Sequence, residues 1–371
     1  MKLGIFVIVS IVWLCNCHGV LVRFSNSVCT TLEGYDGICL RRQQCEDANG
    51  ISSGTCASDL GRCCLFQRSC GQSSSQNNTY FFNSKYPNTV STGLQCTFTI
   101  IPCNSNICQI RLDFLNLILS QPDGNGNCIF DSLVITGSAS GNVPVLCGEN
   151  SGQHMYLMVD RTNPITITIT TSVAASLERS WNIKVTQIAC DCPTLAPNGC
   201  LQYYYSQSGN VRSFNYGTTI NGNNLNFGNG SSVAGTRQIS NENYGVCIGM
   251  VPGYCSIQWS QSDGETSSFS LSNDTAAASV LDGLPSNGLR GENCTTDYVV
   301  IPNPYFVNGT AVNADRFCGN QFPTVVTSSK PFVLRVVTND NELGDAANRG
   351  FSLDYTQQAC SNLGFMLYNM S

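Results

Sequence analysis

One cysteine-framed block occurs twice in the last two-thirds of this chain, and its spacing limits what the chain can fold into. The first copy runs Cys128-Ile-Phe-Asp131, then Cys147-Gly148, then the Ile/Thr alternation of 165–170, then Trp181 through to Cys190. The second runs Cys294-Thr-Thr-Asp297, then Cys318-Gly319, then Val333-Leu-Arg-Val-Val-Thr338, then Phe351 through to Cys360. Cys147 to Cys190 is 43 residues and Cys318 to Cys360 is 42. Four landmarks that keep their order and distance describe one module used twice.

The redox setting follows from the ends and the cysteines. Lys2, the apolar run Ile5–Leu14 and the small Gly19 read as a secretory signal over Met1–Gly19, too short to cross a bilayer. No other stretch reaches membrane-spanning length, so the expectation is a secreted, extracellular chain without a membrane span. Of the 22 cysteines, Cys15 and Cys17 leave with that signal. The remaining even number at this density fits disulfides. Thiolate zinc sites need paired short spacings, and the chain has no CxxC and only His154 outside the leader. Sequons at Asn77, Asn229, Asn273 and Asn308 mark candidate glycosylation sites. With 24 acidic against 18 basic residues and no basic cluster, nucleic acid is not an expected partner.

The local patterns are those of strands. Residues 165–170 alternate with period two, and Thr97-Phe-Thr-Ile-Ile101 and the run from Val333 are β-branched or aromatic. Asn-Gly pairs punctuate the chain as turn formers. No long helical periodicity interrupts them, so the fold class is all-β, built of sandwiches. Cys29–Cys64 packs six cysteines into a segment too short for a large core, so 29–64 is expected to be a small disulfide-rich module. Cys63 and Cys64 are expected to reach different partners, since neighbours rarely meet disulfide geometry. The larger modules are expected at 70–190 and 192–360. The second is longer by an insertion near Gly209–Asn243, whose tract from Gly217 to Gly230 reads as a surface loop.

The repeated frame resembles the CUB domain, an extracellular jelly-roll β-sandwich. In the first copy the resemblance rests on Cys70-Gly71, Tyr86-Pro87-Asn88, Cys96-Thr-Phe-Thr-Ile100, Arg111-Leu-Asp-Phe114, Asp131 in its Cys-x-x-Asp, and Cys147-Gly148. In the second it rests on Asp297, Arg316-Phe-Cys318-Gly319, Asn339-Asp340 and Gly350-Phe351 with Tyr355. The six-cysteine segment resembles a clip domain. These resemblances imply two tandem jelly-roll antiparallel β-sandwiches after a clip-like module. They also imply the pairs Cys70–Cys96, Cys128–Cys147 and Cys294–Cys318, with Cys29–Cys63, Cys39–Cys56 and Cys45–Cys64 in the clip-like order. Cys103 and Cys108 flank a short turn and are expected to clasp it, as are Cys247 and Cys255. Cys190, Cys192, Cys200 and Cys360 then have three possible connectivities, and a fully closed framework with no free thiol is the expectation.

Some CUB domains hold Ca²⁺ through a Glu, the Asp of Cys-x-x-Asp and a later Asp, and calcium takes six to eight oxygens. The first copy keeps Asp131 alone, with Leu119 near the Glu position and Thr171 and Ser172 near the later Asp, so it is expected to be metal-free. The second keeps Asp297 and Asp340, with Asp274 or Glu292 upstream, and is the copy in which calcium is implied. Catalysis is not expected: a Ser–His–Asp triad needs a histidine beside a nucleophile motif, and His154 stands in a turn before a strand with none. The scattered acids read as turn formers rather than a glycosidase pair. Tyr203–Tyr205 and Tyr80–Phe82 read as strand residues with an alternative as contact surface. The function expected is extracellular protein–protein binding by a non-enzymatic adaptor or regulator. The alternatives are a structural component of a matrix or secretion and a glycan-binding module.

Overall fold

A computed structural model of the chain describes residues 26–173, 178–217, 237–264, 268–272, 288–340 and 348–360. The signal segment, Asn229, Asn273, Asp274 and the core of the second-module insertion lie outside them. Compact units divide at Leu65/Phe66. In the first unit, Asp36–Leu40 lies between Val28–Thr30 and the strand that begins at Gly61, and that strand also pairs with Ile51–Cys56. The helix Arg42–Asp47 buries only Cys45. Three bridges hold this unit, Cys29–Cys63, Cys39–Cys56 and Cys45–Cys64, in the order that the clip-like resemblance implies. Gly37 is required here: a Cβ would stand 2.8 Å from Cys63 Sγ and 2.8 Å from the Cys64 carbonyl oxygen.

The second unit holds two sandwiches of the same topology. In the first sandwich one sheet runs Thr79–Phe82, Ser180–Ala189, Ile107–Ile118, His154–Met158. The facing sheet runs Gln72–Ser74, Leu94–Ile100, Ile165–Thr171, Ser132–Thr136. In the second sandwich the counterparts are Ser208–Arg212, Gly350–Ala359, Tyr254–Gln261, Val325–Thr327 and Cys200–Tyr204, Asn243–Ile248, Phe332–Val337, Tyr298–Val300. Even the parallel pairing of the opening strand recurs, Gln72–Ser74 on Leu94–Ile100 and Cys200–Tyr204 on Asn243–Ile248. The period-two reading holds at Ile165–Thr171, where Ile165, Ile167 and Ile169 face the core opposite Ile100, Phe98 and Cys96. Of the insertion expected near Gly209–Asn243, residues 209–212 belong to the paired strand Ser208–Arg212, and residues 218–230 of the tract that reads as a surface loop lie outside the described residues.

The bridges repeat with the strands. Cys70–Cys96 and Cys200–Cys247 tie the opening strand region to its parallel neighbour. Cys108–Cys190 and Cys255–Cys360 tie the long central strand to the end of the last strand, and Cys128–Cys147 matches Cys294–Cys318. The clasps expected as Cys103–Cys108 and Cys247–Cys255 are not made. Both pairs flank a connection that looks like a hairpin in sequence but carries the chain from one sheet to the other. Strands on facing sheets lie about 10 Å apart, beyond what a disulfide spans. The closed-framework expectation fails with them, because Cys103 and Cys192 are free thiols.

Candidate functional site

The Asp of Cys-x-x-Asp has a definite partner in the first sandwich, and it is a guanidinium. Asp131 Oδ2 accepts Arg179 Nε at 2.8 Å and the Ser120 N–H at 2.8 Å. Oδ1 accepts Arg179 Nη2 at 3.0 Å and the Ser172 N–H at 2.9 Å. Both side chains are fully buried. Arg179 also donates to the Ser91 and Ser172 carbonyls, so the ion pair joins three chain segments at one end of the sandwich. Four donors saturate the carboxylate, and a built-in cation already neutralises it. A calcium ion does not fit here, because no oxygen of Asp131 is left to bind it.

The second sandwich repeats part of this arrangement. Asp297 is buried and its Oδ1 accepts the Asn339 N–H at 2.8 Å, as Asp131 accepts that of Ser172. Thr338 receives the Glu242 N–H at 2.8 Å, as Thr171 receives that of Leu94. Arg349 is also buried and stands two residues before Phe351, as Arg179 stands two before Trp181. Asp340 is exposed. Among the described residues no three of His, Cys, Asp or Glu gather as a metal cluster. Asp297 and Asp340 supply two of the oxygens that calcium needs, Asp274 lies outside the described residues, and a buried arginine stands at the position that neutralises Asp131 in the first copy. One further acid is present. Glu242 is buried, neither carboxylate oxygen has a hydrogen-bond partner among the described residues, and burial pushes its pKa well above the usual carboxylate range.

The two sandwiches meet at a hydrogen-bonded junction that sequence reading missed. Asn215 is fully buried with a left-handed φ of 59°. Its amide pairs reciprocally with that of Gln121, at 2.8 Å and 3.1 Å. Its N–H donates to Asn150 Oδ1, its Oδ1 also accepts the Glu149 N–H, and its Nδ2 also donates to the Arg237 carbonyl. Gly148, of the Cys-Gly landmark, makes the space: a Cβ there would lie 2.0 Å from Asn215 Oδ1. Along the same junction Gln109 bonds both the N–H and the carbonyl of Ala196, and Gln153 bonds Gln202 and the Ser213 carbonyl.

His154 belongs to that junction. It opens the strand His154–Met158 but is buried, with Nε2 3.0 Å from the Tyr203 carbonyl and 3.1 Å from the Tyr203 nitrogen. Burial, helped by the positive Arg111, lowers its pKa to about 4. Tyr204 and Tyr156 stand edge-on to its ring, and Arg111 lies over Tyr156. Tyr203–Tyr205 is thus a contact surface turned inward, between sandwiches, while Tyr80 and Phe81 are core. No nucleophile-bearing motif accompanies the histidine.

Of the glycosylation candidates within the described residues, Asn308 is exposed in a turn where its Oδ1 accepts the Thr310 N–H. Asn77 is half-buried and its Oδ1 accepts the Gln187 N–H at 2.7 Å. Arg179, Asn215 and Glu242 were not singled out from sequence. For Arg179 a signal existed, since the repeat places an arginine two residues before the aromatic in both copies. For Asn215 none did.

The family model for the animal CUB domain matches residues 197–358. No curated protein matches the chain. Among solved structures, the CUB1-EGF-CUB2 domains of rat MASP-1 are similar at 11% identity, covering 76% of this chain and 99% of that one, with a TM-score of 0.26. The Ca²⁺-bound MASP-1 CUB2 domain shares 18% identity over 32% of this chain and 98% of its own, TM-score 0.26. The extracellular region of zebrafish Gpr126/Adgrg6 shares 11% over 79% of this chain and 34% of its own, TM-score 0.27. Likenesses at that level do not define a shared arrangement of modules. The family match covers the second sandwich, whose strands run from Cys200 to Ala359. The chain thus matches the animal CUB family model over its second sandwich, residues 197–358.

Proposed function

We propose that this chain is a secreted, non-catalytic binding protein whose two sandwiches act together as one recognition body for an extracellular protein. The observation that supports it is the Asn215 junction. A buried, fully satisfied polar hub fixes two modules in one relation, and a fixed relation lets one partner be read by both. Nine disulfides suit an oxidising compartment, and no helix among the described residues is long and apolar enough to cross a membrane. Glycans at Asn77 and Asn308, and at Asn229 and Asn273, belong to the same reading.

Capture on the immobilised full chain from extracellular fluid tests it, and one discrete protein retained by the native chain is expected. Retention of nothing, together with self-association in sedimentation velocity, would favour the matrix-component alternative. Calcium at Asp297 and Asp340 is the finer reading that the resemblance implies, and the buried Arg349 weighs against it. Calorimetric titration of the native chain with CaCl₂ decides: heat lost in both Asp297→Ala and Asp340→Ala would establish the site.

A further inference from the structure

We infer that the seam between the two sandwiches is the docking site, and that it takes an extended segment of the partner protein carrying a carboxylate side chain next to an aliphatic one. This rests on the binding function proposed above and names the chemistry of the partner. Two cavities lie side by side along the seam, of about 390 Å³ and 420 Å³. They share Asn142 from the first sandwich and Asn243 from the second, so together they form one groove to which both modules contribute.

The two halves differ in chemistry. One half contains Tyr156, Asn198 and Arg335, and among the described residues Arg335 is the only charged one lining either half. Arg335 is exposed on the outer face of the strand Phe332–Val337. Its Nε donates to Asn243 Oδ1 at 2.8 Å, which orients the guanidinium, and its two terminal nitrogens have no partner among the described residues. An oriented guanidinium with both terminal N–H groups open is built for a bidentate carboxylate. In a chain of net charge −6, an arginine with no acid beside it among the described lining residues selects an anionic group. The other half carries Val143 and the exposed Ile129 and Val145, at 62% and 42% exposure, with no charge among its lining residues. Apolar side chains left in water along a groove suit an aliphatic partner residue. Between the halves, the Asn142 and Asn243 amides can donate to and accept from a peptide backbone.

The test is selection of a phage-displayed random 12-residue peptide library on the disulfide-intact full chain, followed by affinity measurement of the enriched peptides. Enriched sequences with Asp or Glu beside Leu, Ile or Val are expected, bound at least 10-fold more weakly by Arg335→Ala and not measurably by Arg335→Glu. Arg335→Lys should retain part of the affinity, and Ile129→Asp should weaken it independently. Arg335 and Ile129 are exposed, so an unchanged thermal transition checks that these variants fold. Peptides enriched without acidic residues, or indifferent to Arg335→Glu, would overturn the seam assignment and leave the binding function standing. Preferential capture of sialylated or uronate glycans in place of peptides would overturn the protein partner. If no peptide is enriched, the seam assignment fails, and if capture from extracellular fluid fails as well, the binding function falls with it.

Discussion

Asp131 and Arg179 form a fully buried ion pair that neutralises itself. The carboxylate holds two backbone N–H groups at the sandwich end, and the guanidinium supplies the positive charge. Removing one member leaves the other charged and buried, which costs about 3–5 kcal/mol. Asp131→Ala is therefore expected to lower stability by that amount in urea titration, and added CaCl₂ should stabilise the native chain no more than it stabilises the variant. Calcium stabilisation of the native chain that is lost in Asp131→Ala would show that the site is a metal site. Glu242 sits at the corresponding end of the second sandwich and behaves in the opposite sense. Its folded pKa lies above the unfolded value near 4.5, so the folded state holds its proton more tightly. That contribution is fully present below pH 4.5 and is lost as pH rises toward the raised value. Glu242→Gln, which mimics the protonated acid, should match the native chain near pH 4 and exceed it by about 1–3 kcal/mol at pH 7. Equal stability at both pH values would mean that the carboxylate has found a partner.

Strands and bridges were legible to different degrees, for physical reasons. Ile165–Thr171 declared itself because a half-buried strand must alternate, and its three isoleucines are buried as that pattern requires. The Cys-Gly landmarks and their bridges recurred because both copies have the same topology. Spacing misled at Cys103 and Cys247, since short separation along the chain says nothing about whether the flanking strands share a sheet. The repeat then leaves Cys103 and Cys192 over: each sandwich already has three bridges, and neither cysteine has a counterpart in the second copy. Cys103 is exposed, while Cys192 is half-buried with Sγ 3.0 Å from Thr194 Oγ1. Iodoacetamide on the native chain should label Cys103 first, Cys192 more slowly and no bridged cysteine. A non-reducing peptide map should contain Cys108–Cys190, Cys200–Cys247 and Cys255–Cys360. A Cys103–Cys192 peptide in that map would mean that a tenth bridge closes.

At the scale of the molecule, what the sequence hid is the junction. Asn215 lies in the insertion expected near Gly209–Asn243, and its five hydrogen bonds go to residues from 22 to 94 positions away. No local pattern encodes such a contact, and neither the Gly148 opening nor the buried His154 could be read without it. Asn215→Ala leaves several buried groups unsatisfied at about 1–3 kcal/mol each. In scanning calorimetry the native chain is expected to melt its paired sandwiches in one transition, and Asn215→Ala to split that transition into two. Acid should act in the same direction. The folded pKa of His154, about 4, is below its ordinary 6.5, so its contribution is present above pH 6.5 and is lost as pH falls toward 4.

The central claim is that the two sandwiches make one binding surface, and hydrogen exchange on the complex with the captured partner tests it most directly. The account predicts added protection in both sandwiches at once, at 142–145 in the first and at 239–243 and 333–335 in the second. Protection confined to a single sandwich would contradict it.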